Sequence, residues 1–263
     1  MRIRNQEPVL WHLLATVIAT MLFAGCSTVP VTGRTQFNVI PRGEEMKLGY
    51  NEFSKMKQEV PISKDPQLNA LVQKVGKRIA AVVGSEMPDA QWEFVVFQSK
   101  EANAFCLPGG KVGIYTGILP VTRDEAGLAT VMGHEVAHAV ARHGGERMTT
   151  ALGLQAAGAW GSAMTKPETQ ATFQQVYGLG SQVLVALPHS RSQEAEADHI
   201  GLIYMARAGY PPEASVDFWQ RFSEFNKQQG AATPWFLRTH PLDEQRIANL
   251  KKWMPEARAQ FKP

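Results

Sequence analysis

The segment His134-Glu135-Val136-Ala137-His138 carries two imidazoles four residues apart, with a carboxylate directly after the first. Apolar Leu128, Val131, Met132 and Val136 recur around it, so the stretch beginning near Asp124 predicts a helix independently of the motif. At about 100° per residue, His134 and His138 share one face, one turn apart. Two imidazoles so placed can hold one divalent ion. Glu135 falls where its carboxylate can polarise a water on that ion without ligating it. The chemistry on offer is metal-assisted hydrolysis, with Glu135 as general base.

A catalytic zinc takes three protein ligands and keeps a fourth position open. A second helix, predicted to open near Ser190 and close at Gly209, carries Glu194, Glu196, Asp198 and His199. Glu194 and Asp198 lie one turn apart on one face. Glu194 is the candidate third ligand, and Asp198 the candidate acceptor for a ligating imidazole's second nitrogen. The plainer readings are a surface carboxylate for Glu194 and a salt bridge to Arg191 or Arg207 for Asp198. Glu196 points off that face and is expected in solvent. His12, His143, His189 and His199 carry no assignment, since a lone histidine is by default a packed or surface residue.

Combined with Ser190-Arg191-Ser192-Gln193-Glu194-Ala195-Glu196-Ala197-Asp198, the His-Glu-Val-Ala-His segment resembles the gluzincin family that includes CAAX prenyl proteases, HtpX-like heat-shock proteases and the mitochondrial Oma-type protease. Asn103-Ala104-Phe105 with Pro108-Gly109-Gly110, and Thr239-His240-Pro241 with Arg246, extend the likeness over nearly all of the chain beyond its first forty residues. Bacterial periplasmic members similar to the β-barrel assembly-enhancing protease, but without its C-terminal helical repeats, are the nearest in pattern. The resemblance implies an α+β, mainly helical zincin-like metallopeptidase domain with a small antiparallel sheet and one Zn2+ per chain. It also implies that the residue matching Glu194 is the third ligand. His240 matches a position close to the active site. It could donate to an oxyanion, occupy the open zinc position in a resting state, or pack at a helix start. By the same likeness, the edge at Asn103 and Ala104 faces the cleft and pairs with an extended substrate; a structural turn is the alternative.

These residues need elements to hold them. Glu44 to Val60 and Pro66 to Val83 read as helices, the second opened by Asp65-Pro66 and striped by Leu68, Leu71, Val72, Val75, Ile79 and Val82. Trp92 to Phe97 and Val112 to Tyr115 are β-branched and aromatic, and flank Asn103 to Leu107 and the Pro108-Gly109-Gly110 turn. From Asp124 the pattern is helical almost to the end. Residues 147–187, rich in Ala, Gly, Gln and Met, suit ordinary core helices or a mobile lid.

The first residues address the chain elsewhere. Arg2 and Arg4 precede an apolar stretch from Val9 to Ala24, which ends in Leu22-Phe23-Ala24-Gly25-Cys26-Ser27. This is the layout of an export signal, shorter than the roughly 20 residues of a bilayer-spanning helix. The tail resembles a bacterial lipobox, with Cys26 lipidated and then exposed by cleavage; an uncleaved membrane anchor and a soluble secreted protein with an incidental Cys26 are the alternatives. Three parts follow: 1–25 signal peptide, 26–42 tether and 43–263 metallopeptidase domain. Ser27 leans towards the outer membrane by resemblance to lipoprotein sorting. With two cysteines in the chain, Cys106 is expected as a small buried hydrophobe rather than a nucleophile.

At 263 residues, 44% hydrophobic and 19% charged, the chain is globular, and its net charge of +3 includes no basic patch for a nucleic-acid partner. The expected partners are unfolded or misassembled envelope proteins as substrates, the membrane through an N-terminal lipid, and outer-membrane assembly machinery. The expected function is zinc endopeptidase in envelope quality control. The competing classes are a chaperone-like binding module that uses its Met- and Ala-rich segment, and a metal-free structural module.

Overall fold

The computed structural model describes residues 25–163, 189–228, 234–240 and 244–263. Residues 1–24, where the export signal is read, lie outside the described residues, as do 164–188 in the Ala- and Met-rich region.

A hairpin, β1 (Cys26–Thr28) with β2 (Thr35–Phe37), leads into helices α1 (Arg42–Glu59) and α2 (Pro66–Val83). Strands β3 (Glu93–Phe97), β4 (Ala104–Leu107) and β5 (Lys111–Tyr115) follow. After a short turn of helix α3 (Leu119–Thr122), the chain is helical: α4 (Glu125–Val140), α5 (His143–Ala163), α6 (Arg191–Arg207), α7 (Ala214–Gln228), α8 (Trp235–Thr239) and α9 (Glu244–Gln260). None of the described helices is long and apolar enough to cross a membrane.

The mainly helical α+β class holds. The sheet, expected antiparallel, is mixed: β4 and β5 form the antiparallel hairpin across Pro108-Gly109-Gly110, but β3 runs parallel to β5 on its other side. Burial accounts for the order. The Val112-Gly113-Ile114 run of β5 is buried on both faces and takes the centre, which leaves β4 as an edge. Alternate side chains serve two cores. Phe94 and Val96 of β3 join α2 in the main core, whereas Phe97 meets Phe53 of α1, Phe105 and Tyr115 in a second aromatic cluster.

Helix α4 is buried almost all round, from Gly127 to His138 without a break, so it is the axis of the molecule rather than a surface helix. Asp124 caps it by accepting from the Gly127 N–H. Helix α6 crosses α4 at Gly133 and Gly201. A Cβ on Gly201 would stand 2.7 Å from the His134 backbone nitrogen, so backbone touches backbone there. Ser190 opens α6 with a capping box to Gln193.

Residues 26–42, expected as a tether, are folded onto the domain. Val29 is fully buried in the main core, and Arg34 pairs with Glu146 of α5 and Glu196 of α6. The Pro30, Thr32 and Gly33 stretch builds a tight turn, closed by the Val29 N–H donating to the Arg34 carbonyl at 2.8 Å.

Candidate metal centre

The Gly133/Gly201 crossing brings the His134 face of α4 against the Glu194 face of α6. The end of α8 delivers His240 to the same point. His134, His138, Glu194 and His240 are all buried, and one donor atom from each lies within 4.8 Å of the others. His134 Nε2 and His138 Nε2 are 3.1 Å apart, and His138 Nε2 lies 3.3 Å from Glu194 Oε1. His240 Nδ1 sits 3.0 Å from Glu194 Oε1 and 3.3 Å from His134 Nε2. Donors about 2.1 Å from one tetrahedral zinc stand about 3.4 Å from each other. The spacing and the N3O donor set therefore fit a zinc ion, which His134, His138, Glu194 and His240 could hold.

Charge balance supports the same fit. Burial alone would raise Glu194, yet His240, His134 and His138 overcome it and hold this carboxyl well below its usual range. For His134, burial works to remove the proton, but Asp198 and Glu194 outweigh it and push the ring up to about 9. A metal cation would take the place of that proton. His138 goes the other way, held well below its usual value by burial despite the pull of Glu194.

Each ligand has a supporting group. His134 Nδ1 lies 2.9 Å from Asp198 Oδ1, although its N–H points off the line between them. Arg246 donates through Nε to Asp198 and through Nη2 to Glu194 at 2.6 Å, and its guanidinium stacks 3.6 Å from the Trp219 ring centroid. His138 Nδ1 lies 2.8 Å from His143 Nδ1, and His143 Nε2 lies 3.0 Å from Glu196 Oε2.

Glu196, expected in solvent, is instead buried, because α5 and the N-terminal hairpin cover the face it occupies. Burial works to raise its carboxyl, but hydrogen bonds from His143, Arg34 and Thr32 bring it down to about 2. Burial lowers His143 in spite of Glu196, so this ring is neutral beside an anion. No sequence pattern singled out His143. His189, likewise unassigned, lies tilted against His138 with ring centroids 3.8 Å apart.

Glu135 Oε1 is buried without a hydrogen-bond partner, 3.5 Å from His240 Nε2, and burial raises its pKa. It lines a cavity of about 50 Å³, together with His138, His240, Cys106, Asn103 and Arg147, which has room for a water but not for a peptide. Burial, and then the Glu135 charge, push the Cys106 thiol up, which is wrong for a nucleophile. Ala104 belongs to the edge strand, and its N–H is taken by the side chain of the neighbouring Asn103 at 2.9 Å.

Comparisons with known proteins agree with this centre. The model of Peptidase family M48 matches residues 66–254. The chain is 35% identical to the mitochondrial metalloendopeptidase OMA1 of Schizosaccharomyces pombe over 239 residues, 89% of this chain and 68% of that protein. It is 32% identical to the protein of the same name in Saccharomyces cerevisiae, over 90% of this chain and 74% of that one. The beta-barrel assembly-enhancing protease of Escherichia coli is 28% identical over 91% of this chain, which spans about half (51%) of that protein. The family match runs from α2 to α9 and includes both metal-bearing helices; with donors spaced for one zinc between them, the chain belongs to peptidase family M48 and is a zinc metalloendopeptidase.

Proposed function

We propose that this enzyme hydrolyses misfolded or stalled proteins of the bacterial cell envelope, with His134, His138 and Glu194 as zinc ligands and Glu135 as general base. The observation that carries the site assignment is the unpartnered Glu135 Oε1, buried beside the donor cluster. Zinc, when bound there, supplies the Lewis acidity that activates a water and polarises a peptide carbonyl. Glu135 takes the proton of the attacking water and hands it to the leaving amine. Its raised pKa suits both halves of that task.

His240 Nδ1 lies among the donor atoms of the cluster, so its ring would have to turn away to admit water and substrate to a bound ion. An extended substrate would displace the Asn103 side chain from the Ala104 N–H and add a strand to the β4 edge. Envelope location is supported by Arg2, Arg4, the apolar stretch to Ala24 and Cys26 as lipid acceptor, and by likeness to the Escherichia coli protease. Because 26–42 is folded, lipid on Cys26 would hold the catalytic domain close against the bilayer, on the outer membrane in our reading.

Comparative proteomics of wild-type and Glu135→Gln cells under envelope stress tests the role. Unfolded envelope proteins should accumulate in the variant. If Glu135→Gln complements a deletion fully, the chain acts as a binding module instead. Fatty-acid labelling that persists in Cys26→Ala would remove the anchor.

A further inference from the structure

The two imidazole ligands are oriented by different means. His134 meets its carboxylate, Asp198, directly. Among the described residues, no carboxylate is paired with His138 Nδ1; it meets His143. We propose that His143 and Glu196 are positioning residues for the zinc ligand His138, and that the N-terminal hairpin, through Thr32 and Arg34, holds Glu196 in place for that task.

The proton pattern is determined along the chain of contacts. Glu196 receives the Thr32 hydroxyl on Oε1, and on Oε2 both Arg34 Nε at 2.8 Å and His143 Nε2 at 3.0 Å. An anionic oxygen can only accept, so His143 carries its proton on Nε2 and leaves a lone pair on Nδ1. That lone pair accepts the His138 Nδ1–H across 2.8 Å. His138 is thereby fixed as the tautomer whose Nε2 lone pair points into the donor cluster. Reversing any link would aim an N–H at the metal position.

The fold builds this contact at some cost. Between α4 and α5, Arg142 adopts φ 55°, a left-handed conformation disfavoured for a non-glycine residue. It is held there by Glu45, 2.8 Å from Nη2, and by the Ile40 carbonyl. The corner returns His143, fully buried, to the side of His138. Arg34 spans Glu196 and Glu146, so hairpin, α5 and α6 close around the relay.

The inference rests on the zinc assignment of His138 and on nothing about substrate or location. Zinc affinity measured by chelator competition, and the visible spectrum of the Co2+-substituted protein, test it in the full chain. His143→Phe should weaken zinc binding by about 10- to 100-fold and shift the cobalt bands. His143→Gln, which can still accept from His138 and donate to Glu196, should restore most of the affinity. Glu196→Gln should weaken binding about tenfold. A folded His143→Phe protein that binds zinc within twofold of wild type, with an unchanged cobalt spectrum, overturns the relay. Should His143→Phe fail to fold, Arg34→Met carries the test: affinity reduced severalfold supports the hairpin link, and unchanged affinity overturns it. A wild-type chain that binds no zinc would instead sink the metal assignment.

Discussion

A buried carboxylate with an empty oxygen is costly to a fold, because desolvation is not offset by a donor. Glu194 and Glu196 receive donors from Arg246 and from His143 and Arg34, and Asp198 is tied by Arg246 through Oδ2, whereas Glu135 Oε1 faces the donor cluster without a donor of its own. Replacing Glu135 by Gln should therefore leave one zinc per chain and lower kcat by about 10²- to 10⁴-fold; zinc content by atomic absorption and turnover of unfolded casein check both halves. His240 Nδ1 lies 3.0 Å from Glu194 Oε1 within the donor cluster, so it would compete with water for a bound ion. His240→Ala should weaken zinc binding yet raise the initial rate on a short unfolded peptide at saturating zinc. A loss of 10²-fold or more in kcat with zinc still bound would make His240 the oxyanion donor instead. His134, Glu135, His138 and Glu194 could be found in the sequence because helical periodicity turns spacing into geometry. His143 could not, because its partner is set by the Arg142 corner, a backbone conformation that no pattern of residue types announces.

Among the elements, the contact that assembles the site is the crossing of α4 and α6, and it is set by two glycines that no motif includes. Around Gly201, an added Cβ would lie within 2.9 Å of three backbone atoms, His134 N, Gly133 C and His134 Cα, none of which can swing aside as a side chain can. Gly201→Ala should force the helices apart, cost about 1–3 kcal/mol of stability and reduce zinc affinity as Glu194 recedes from His134. Gly153 of α5 is exposed, with nothing within 4 Å of an added Cβ. There the same substitution should stabilise by about 0.5–1 kcal/mol. Urea unfolding of the two variants, with zinc titrations, distinguishes packing from propensity; a stable, tight-binding Gly201→Ala protein would refute the close approach. Helices α2, α4 and α6 were legible from caps and periodicity. The parallel β3/β5 pairing and the docked hairpin were not. Strand order depends on which run is buried deepest, and a Thr/Pro/Gly segment is a linker or a turn according to partners such as Glu196 that lie far along the chain.

Over the whole molecule, the metal site joins α4, α6 and α8 directly and α9 through Arg246, so occupancy and global stability should be linked. The pH dependence follows from His134. Its pKa is raised from 6.5 to about 9 by Asp198 and Glu194 against the effect of burial. A raised pKa stabilises the metal-free fold fully below about pH 6.5, and that contribution is lost as pH climbs through 9. Zinc must displace the same proton, so its affinity should rise about tenfold per pH unit across the same window and level off above it. Both trends act in one direction on the effect of removing the metal. At a thousandfold excess over Kd, bound zinc contributes about 4 kcal/mol, and in a domain of this size each kcal/mol moves Tm by about 2–4 °C. Saturating chelator should thus lower Tm by about 8–16 °C at pH 8.5 and by only a few degrees at pH 6.5, measured by calorimetry in matched buffers. Equal losses at the two pH values would mean that His134 does not hold the proton that zinc replaces, and that the carboxylates around it are neutralised some other way.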